Sequence, residues 1–376
     1  MFGISKPSNG GAGGTGENTV VLQTKENLDR AIISRQEVSK ERKPMIVMTY
    51  DDGVSTDYSL GFKVHEERQV PMSVAVIGYH LEHPTVHPTV GATTPITVKQ
   101  LKEIRDSEVG HEIVPHGMTH RLMGARQLSG AVSVGDTQIT LTGQGKYFMP
   151  TSIEDSVECY LIEGDKKEII HTTELLSANT LSLKEPLEND FTTNAYIRLS
   201  DEQLEYEIVD SKRVLEKFGF PSEGVFYPGA RHCHEARMIM AKHYKYGRAV
   251  NHQGEDMITL PNPFPTYSIG CPVMEYNTIE TLTPYMDEAV EKNGALFLLG
   301  HTPNQNLTEE YLNQIIDEAE ARNMEFVTAS EAVDRLGNML EIGDVSYDKE
   351  SHDFPIGKGY YAFSSEYKVY SSEETV

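Results

Sequence analysis

Short apolar runs recur along this chain at intervals that leave room for a helix between them. Met45–Thr49 (MIVMT), 71–78 (PMSVAVIG), 224–228 (GVFYP), 246–250 (YGRAV), 295–299 (ALFLL) and 325–329 (EFVTA) are each long enough for a buried strand and too short for a helix. The stretches between them are helix-capable. In 97–108, Val98, Leu101 and Ile104 share one helical face, and Ser200-Asp201-Glu202-Gln203 reads as a capping box ahead of Leu204, Ile208, Leu215 and Phe218. Thr283-Pro284 is expected to open a helix that Gly294 closes, and Thr308 to open another with Leu312, Ile315 and Ile316 inward. Such βα repeats predict an α/β protein, a (β/α) barrel that is complete or distorted, with an open doubly wound sheet as the alternative.

Two kinds of segment break that rhythm. Residues 128–200 are dense in short β-type runs, with turn signals at Gly135-Asp136 and Gly164-Asp165, each expected to close a hairpin. This predicts a small all-β domain inserted into the α/β chain. At the ends, 7–16 (PSNGGAGGTG) has linker composition, and 337–376 is polar and Tyr-rich. The expected organisation is a tether over 1–44, a discontinuous barrel over 45–124 and 201–336, the β insertion over 125–200, and a tail over 337–376.

Charge narrows the partners. The 376 residues carry 57 Asp and Glu against 33 Lys and Arg, a formal net charge of −24. That argues against a nucleic-acid backbone or an anionic membrane as the main partner. No apolar run approaches the ~20 residues of a membrane span. The opening residues MFGISKPSNGGAGG lack the apolar middle of a secretory signal, which predicts cytoplasmic synthesis. Cys159, Cys233 and Cys271 form no CxxC and make no disulfide framework.

The residues able to do chemistry follow buried runs. Asp51 and Asp52 come immediately after the first, at the strand end where α/β folds bind ligands, and two adjacent carboxylates repel unless a cation or proton lies between them. Gly53 lets the chain turn away. His116 and His120 have the HxxxH spacing that places two imidazoles on one helical face, a common Zn²⁺ arrangement, without the Glu of HExxH peptidases. A metal held by two His and one Asp keeps a position open for water or substrate. His301 follows the run 295–299 and is a candidate general acid. His80, His83 and His87 read first as a loop near the cleft and second as another metal site. Arg231-His232-Cys233-His234 reads as substrate lining, with chelation as the alternative.

Taken in order, these segments resemble the polysaccharide deacetylases of the NodB-homology type, carbohydrate esterase family 4. Thr49-Tyr50-Asp51-Asp52-Gly53 is similar to that family's first motif. Gly110-His111-Glu112-Ile113 leading to His116 and His120 is similar to its second, and Leu298-Leu299-Gly300-His301 to its last. The resemblance covers 45–124 and 201–336. It departs at Gly117, where the family usually has Ser or Thr, and at Val225–Arg231, which keeps a Pro turn but displaces an Arg. Arg231 and Arg248 are the candidates to replace that Arg. The family's Asp-Trp element has no counterpart, since the chain has no Trp.

The resemblance implies a distorted (β/α) barrel with Asp52, His116 and His120 on one Zn²⁺, for which Co²⁺ or Ni²⁺ could substitute. It further implies Asp51 as base, His301 as acid, and Tyr227, Pro228, Gly229 and Arg231 as substrate or oxyanion lining. Removal of acetyl groups from an acetylated glycan is the activity implied. Two other readings stand beside it: a non-catalytic carbohydrate-binding or structural subunit of a virus particle, and an amidase on a non-sugar amide. The first two combine as a phage-tail enzyme whose partners are other virion proteins or further copies of this chain.

Overall fold

The structure is a computed structural model, and it describes residues 43–84, 93–152, 154–250, 257–259 and 267–336. The Gly-rich 7–16, His87 and the stretch 337–376 lie outside the described residues.

In chain order, parallel strands β1 (Met45–Tyr50), β2 (Ser73–Val76) and β3 (Glu112–Pro115) come first. Six strands of a separate sheet follow: β4 (Arg126–Gln127), β5 (Gln138–Thr140), β6 (Val157–Glu163), β7 (Lys166–Ser177), β8 (Thr180–Leu183) and β9 (Tyr196–Leu199). The α/β chain then resumes with β10 (Gly224–Phe226), β11 (Tyr246–Arg248), β12 (Ala295–Gly300) and β13 (Glu325–Phe326).

β1 is buried along its length because it has neighbours on both edges and packing on both faces, which is why its sequence is an unbroken apolar run. It pairs with β12 from Met45 opposite Ala295 to Tyr50 opposite Gly300, and its other edge is shared by β13 and β2. β2 pairs in turn with β3, and β10 with β11, all parallel. Isolated parallel bridges carry the ring onward, Arg248 to Ile269 and Val273 to Leu299. The side chains agree with closure. Ile46, Met48 and Tyr50 face outward into a core shared with the helices, whereas Met45 and Val47 face a second core with Ala75, Val114, Phe226 and Phe297. Alternate residues of separate strands meeting at one centre make this the interior of a barrel. It is distorted because the ladder is interrupted, and across the β3–β10 seam a side chain bridges instead: His116 Nδ1 bonds the Phe226 carbonyl at 2.9 Å.

The six-stranded sheet is antiparallel, in the order β4-β9-β6-β7-β8-β5. Gly164-Asp165 closes the β6–β7 hairpin as expected, with Glu163 opposite Lys166. Gly135-Asp136 does not close one. It makes a local turn through Asp136 N–H to Ser133 O (3.0 Å), while β5 pairs with β8 and Val132 bridges Phe191. The sheet's core runs without a break into the barrel side: Leu141, Leu161 and Leu199 pack in one cluster with Leu204, Ile208, Val225 and Tyr227.

Ser200 and Thr308 cap their helices as expected, each accepting a backbone N–H, and Thr97 caps the helix Val98–Arg105 in the same way. Thr283-Pro284 does not open its helix. That helix, Ile279–Lys292, starts a turn earlier behind Thr278, whose N–H donates to Thr281 Oγ1 at 2.9 Å, and Pro284 lies within it.

Candidate metal centre and cleft

The end of β1 shapes the first wall. Asp51 N–H donates to Gly300 O at 3.0 Å, extending the β1–β12 ladder one residue past the strand. The chain then turns through two left-handed residues, Asp52 (φ 77°) and Gly53 (φ 59°). A Cβ at Gly53 would sit 3.0 Å from Val76 Cα, so glycine is required there for space as well as conformation.

His116 and His120 lie in a loop after β3, and the expected helical face is not what aligns them. Gly117 at φ 75° and His120 at φ 62° bend the segment instead. Its shape is set from below by Glu207, wholly buried on the segment Tyr206–Asp210, which accepts from Thr119 N–H (2.9 Å) and from the Thr119 hydroxyl. A Cβ at Gly117 would lie 2.7 Å from Glu207 Oε2, which is why a larger residue does not stand at that position. Burial raises the Glu207 pKa above the usual carboxylate range, and Arg121 and the Thr119 hydrogen bonds oppose it. Nothing in the HxxxH motif announced this support.

The loop and the β1 end bring three side chains together. His120 Nε2 lies 3.1 Å and His116 Nε2 3.6 Å from Asp52 Oδ1, and one donor atom of each residue falls within 4.8 Å of the others. His116 is oriented by its bond to Phe226 O, in which Nδ1–H is the donor, and this turns Nε2 toward Asp52. Burial disfavours the Asp52 charge, but hydrogen bonds and charge from His116 and His120 outweigh it and hold the carboxyl well below its ordinary range. Burial also lowers the His120 pKa, against the pull of Asp52. Two imidazoles and a carboxylate are the donor set that a divalent transition metal takes.

Asp51 belongs to a different network. Arg248, wholly buried, donates Nη2 to Asp51 Oδ1, and its guanidinium lies 4.2 Å from the Phe226 ring centroid. Of the two candidates for the displaced Arg, Arg248 is the one on Asp51. Cys271 is a structural neighbour here, bonding Ala249 O at 3.1 Å, with its thiol pushed up to about 12 by burial. His301 faces the same cleft and pairs through Nδ1 with Glu275 Oε1 at 2.5 Å. Burial alone would lower the His301 pKa; the Glu275 hydrogen bond and the nearby Asp52 and Asp51 charges raise it instead to about 9. Glu275, in the single 3₁₀ turn Met274–Tyr276, too short to give a periodic signal, was not visible in the sequence.

These groups line a cavity of about 580 Å³. Its far wall comes from Gly229, Ala230 and Arg231 and from Gln144, Lys146 and Tyr147 of the six-stranded sheet region. Tyr227 is not on it: that side chain is buried, its hydroxyl donating to Tyr267 O at 3.0 Å. In the 227–230 turn, Tyr227 N–H donates to Arg248 O and Ala230 N–H to Tyr227 O, and Pro228 has no N–H. Gly229 therefore supplies the amide without an internal partner among the described residues. Of the non-glycine residues with positive φ, Gln69, Asn293 and Asn323 end helices, where the conformation is ordinary, whereas Asp52, His120 and Ala230 all line this cavity.

Among the described residues, the remaining candidates form no second metal cluster. His80 is buried on the helix Gly78–Glu82, and the His83 ring lies tilted against Tyr79 with centroids 4.6 Å apart. His232 bonds Ser268 Oγ at 2.9 Å, and the Cys233 thiol is pushed up to about 12 by burial. A larger hollow of about 820 Å³ lies between the helices Ile279–Lys292 and Glu309–Ala321, rich in carboxylates and without histidine.

Residues 39–140 match the family model described as "Polysaccharide deacetylase". None of the curated proteins matches the sequence. Among solved structures, the chain is similar to the CE4 domain of a multidomain xylanase from the hindgut metagenome of Trinervitermes trinervoides (15% identity, 78% of this chain and 92% of that one, TM-score 0.41). It is also similar to a family 4 acetyl xylan esterase from Clostridium thermocellum in complex with a cobalt ion (14%, 77% and 89%, TM-score 0.39). A third is a family 4 carbohydrate esterase from Streptomyces lividans in complex with acetate (11%, 76% and 92%, TM-score 0.39).

Proposed function

We propose, from the match of residues 39–140 to the polysaccharide deacetylase model, that this chain is a zinc-dependent hydrolase that removes acetyl groups from an acetylated glycan. The single observation that carries the reading is the convergence of Asp52, His116 and His120 beside an Asp51 tied to Arg248, in one cavity with His301.

Asp52, His116 and His120 would hold the metal. Their donors lie close enough to share one ion, the Phe226 bond engages His116 Nδ1 and turns Nε2 to the same side as Asp52, and Asp51 beside Asp52 supplies a repulsion that a cation relieves. Bound there, a divalent metal supplies a Lewis acid for an acetyl carbonyl and makes water acidic near neutral pH. The protein's own groups do the rest. Asp51 accepts the proton of the attacking water, and Arg248 fixes which of its oxygens is turned to the cleft. The Gly229 N–H is positioned to bond the oxyanion; loss of one such donor typically costs ~10²–10³ in rate. His301, kept protonated by Glu275 through neutral pH, donates to the departing amine or alcohol. Tyr147 on the wall and Tyr276, 77% exposed at the mouth, offer flat faces for sugar rings.

Acetate release from a panel of N- and O-acetylated oligosaccharides, with and without chelator, tests this. The reading expects release that chelation abolishes and added zinc restores. Release unaffected by exhaustive chelation, or none from any acetylated glycan by metal-loaded protein, would overturn it.

A further inference from the structure

The sheet-side wall of the cleft carries cations that the deacetylation chemistry does not use. Among the described residues, eight arginines pair with a carboxylate. Arg126 and Arg231 pair with none there, in a chain with 57 acidic residues against 33 basic. They share a hollow of about 490 Å³ with Gln127, Thr142, Asn194 and Tyr196, and the buried Arg126 Nε has no hydrogen-bond partner. Burial and the neighbouring Arg231 charge together lower the Arg126 pKa.

The seating of both side chains depends on glycine. A Cβ at Gly143 would lie 2.9 Å from Arg126 Nε, and one at Gly124 would lie 2.9 Å from Arg231 Cβ. Arg231 also stands on the wall of the 580 Å³ cavity, where Lys146 joins it. Lys146 rests 5.1 Å from the Tyr147 ring centroid and has no carboxylate partner among the described residues. The hollow and the cavity therefore share a wall, with Lys146, Arg231 and Arg126 in succession from the metal centre outward. Two guanidiniums facing one pocket repel each other, and an oxygen-rich anion between them reverses the sign of that interaction.

We propose that the substrate is an acidic glycan, and that an anionic group on a sugar near the acetylated one docks between Arg126 and Arg231. This rests on the deacetylase reading for the chemistry at the adjoining centre, while the anion site stands on its own residues. Carboxylate and phosphate share the recognition chemistry, so the test carries an arm for each.

Binding of an oligogalacturonate hexamer, of its carboxyl-reduced neutral form and of a glycerol-phosphate oligomer to the full chain is measured by titration calorimetry at low and moderate salt. Hydrolysis of the small neutral ester 4-nitrophenyl acetate is followed in parallel. An acidic oligomer should bind about ten-fold or more tighter than the neutral one, and Arg126→Gln should remove most of that preference. Lys184→Gln, elsewhere on the sheet, should leave it intact. The tighter acidic arm identifies the anion. Equal binding of acidic and neutral oligomers, or a preference that Arg126→Gln does not alter, would overturn the proposal. Ester hydrolysis separates the two claims: acidic preference without any hydrolysis supports the anion site and counts against the deacetylase, and hydrolysis without acidic preference does the reverse.

Discussion

The two walls of the cleft are built on opposite electrostatic plans. On the barrel wall, the charged groups of the site are matched: buried Asp51 with buried Arg248, Asp52 with His116 and His120, His301 with Glu275. On the sheet wall, Lys146, Arg126 and Arg231 stand without carboxylate partners among the described residues. Groups matched in this way have fixed positions, as bond-breaking chemistry requires. Unmatched cations at an open wall retain attraction for something the protein does not itself contain. The difference assigns chemistry to the first wall and recognition to the second, and substitutions on the two walls should therefore fail differently.

The largest effect is expected at the base. Asp51→Asn should lower kcat by about 10²–10⁴, the usual contribution of a positioned proton acceptor, with metal content unchanged. A variant that turns over like the parent would break the assignment of chemistry to this wall. Arg248→Met follows. It leaves the Asp51 carboxylate buried without its partner, and a loss of roughly 3–5 kcal/mol in a denaturant titration is expected, together with weakened turnover. An unchanged midpoint would show that the pair is not a matched one.

Glu275→Gln sharpens the comparison through pH. Glu275 raises the His301 pKa to about 9, so His301 holds its proton across neutral pH and loses it above. Without the carboxylate the pKa falls toward the ordinary imidazole value, and the alkaline limb of kcat should move to lower pH. A limb that stays in place would remove His301 from the acid role.

The smallest effect concerns Asp57, a buried carboxyl beneath the barrel wall that accepts from Val54 N–H (2.8 Å) and the Thr302 hydroxyl (2.6 Å). Burial, opposed by these bonds and aided by the Asp52 and Asp51 charges, pushes its pKa to about 8. The folded chain then keeps a proton that the unfolded chain releases near pH 4, so the folded state is favoured most at low pH and loses that advantage as pH rises toward 8. In metal-free protein, Asp57→Asn should gain stability relative to the parent across pH 5–8, by an amount on the order of a few kcal/mol at most. A pH-independent difference would contradict the shift.

Much of the barrel wall was legible in the sequence because its cause is local. A strand buried on both faces must be an apolar run, so Asp51, Asp52 and His301 could be placed at strand ends by reading runs alone. The HxxxH spacing singled out the pair that converges on Asp52, but not for the reason read from it: four-residue separation fits a helix, whereas here a loop folded over Glu207 does the aligning, and Glu207 is 91 positions after His116. Arg248 could be named only as one of two candidates, because its partner is 197 positions away. Glu275, Arg126 and Lys146 were invisible for the same reason, whereas Arg231 was named as cleft lining from its place beside the Pro turn. Their roles come from packing between distant segments, and an isolated Arg or Glu in a turn carries no periodicity. Tyr227 shows the converse: adjacency to the Pro turn predicted a place on the cleft, yet its ring is directed into the core.

The most direct test of the central claim is the metal stoichiometry of two neighbouring variants, by elemental analysis of purified, folded protein. Asp51→Asn should retain close to one equivalent of zinc per chain, and Asp52→Asn should retain little, although the residues are adjacent in sequence. Equal zinc in both variants, whether full or absent, would contradict the division between ligand and base on which the account depends.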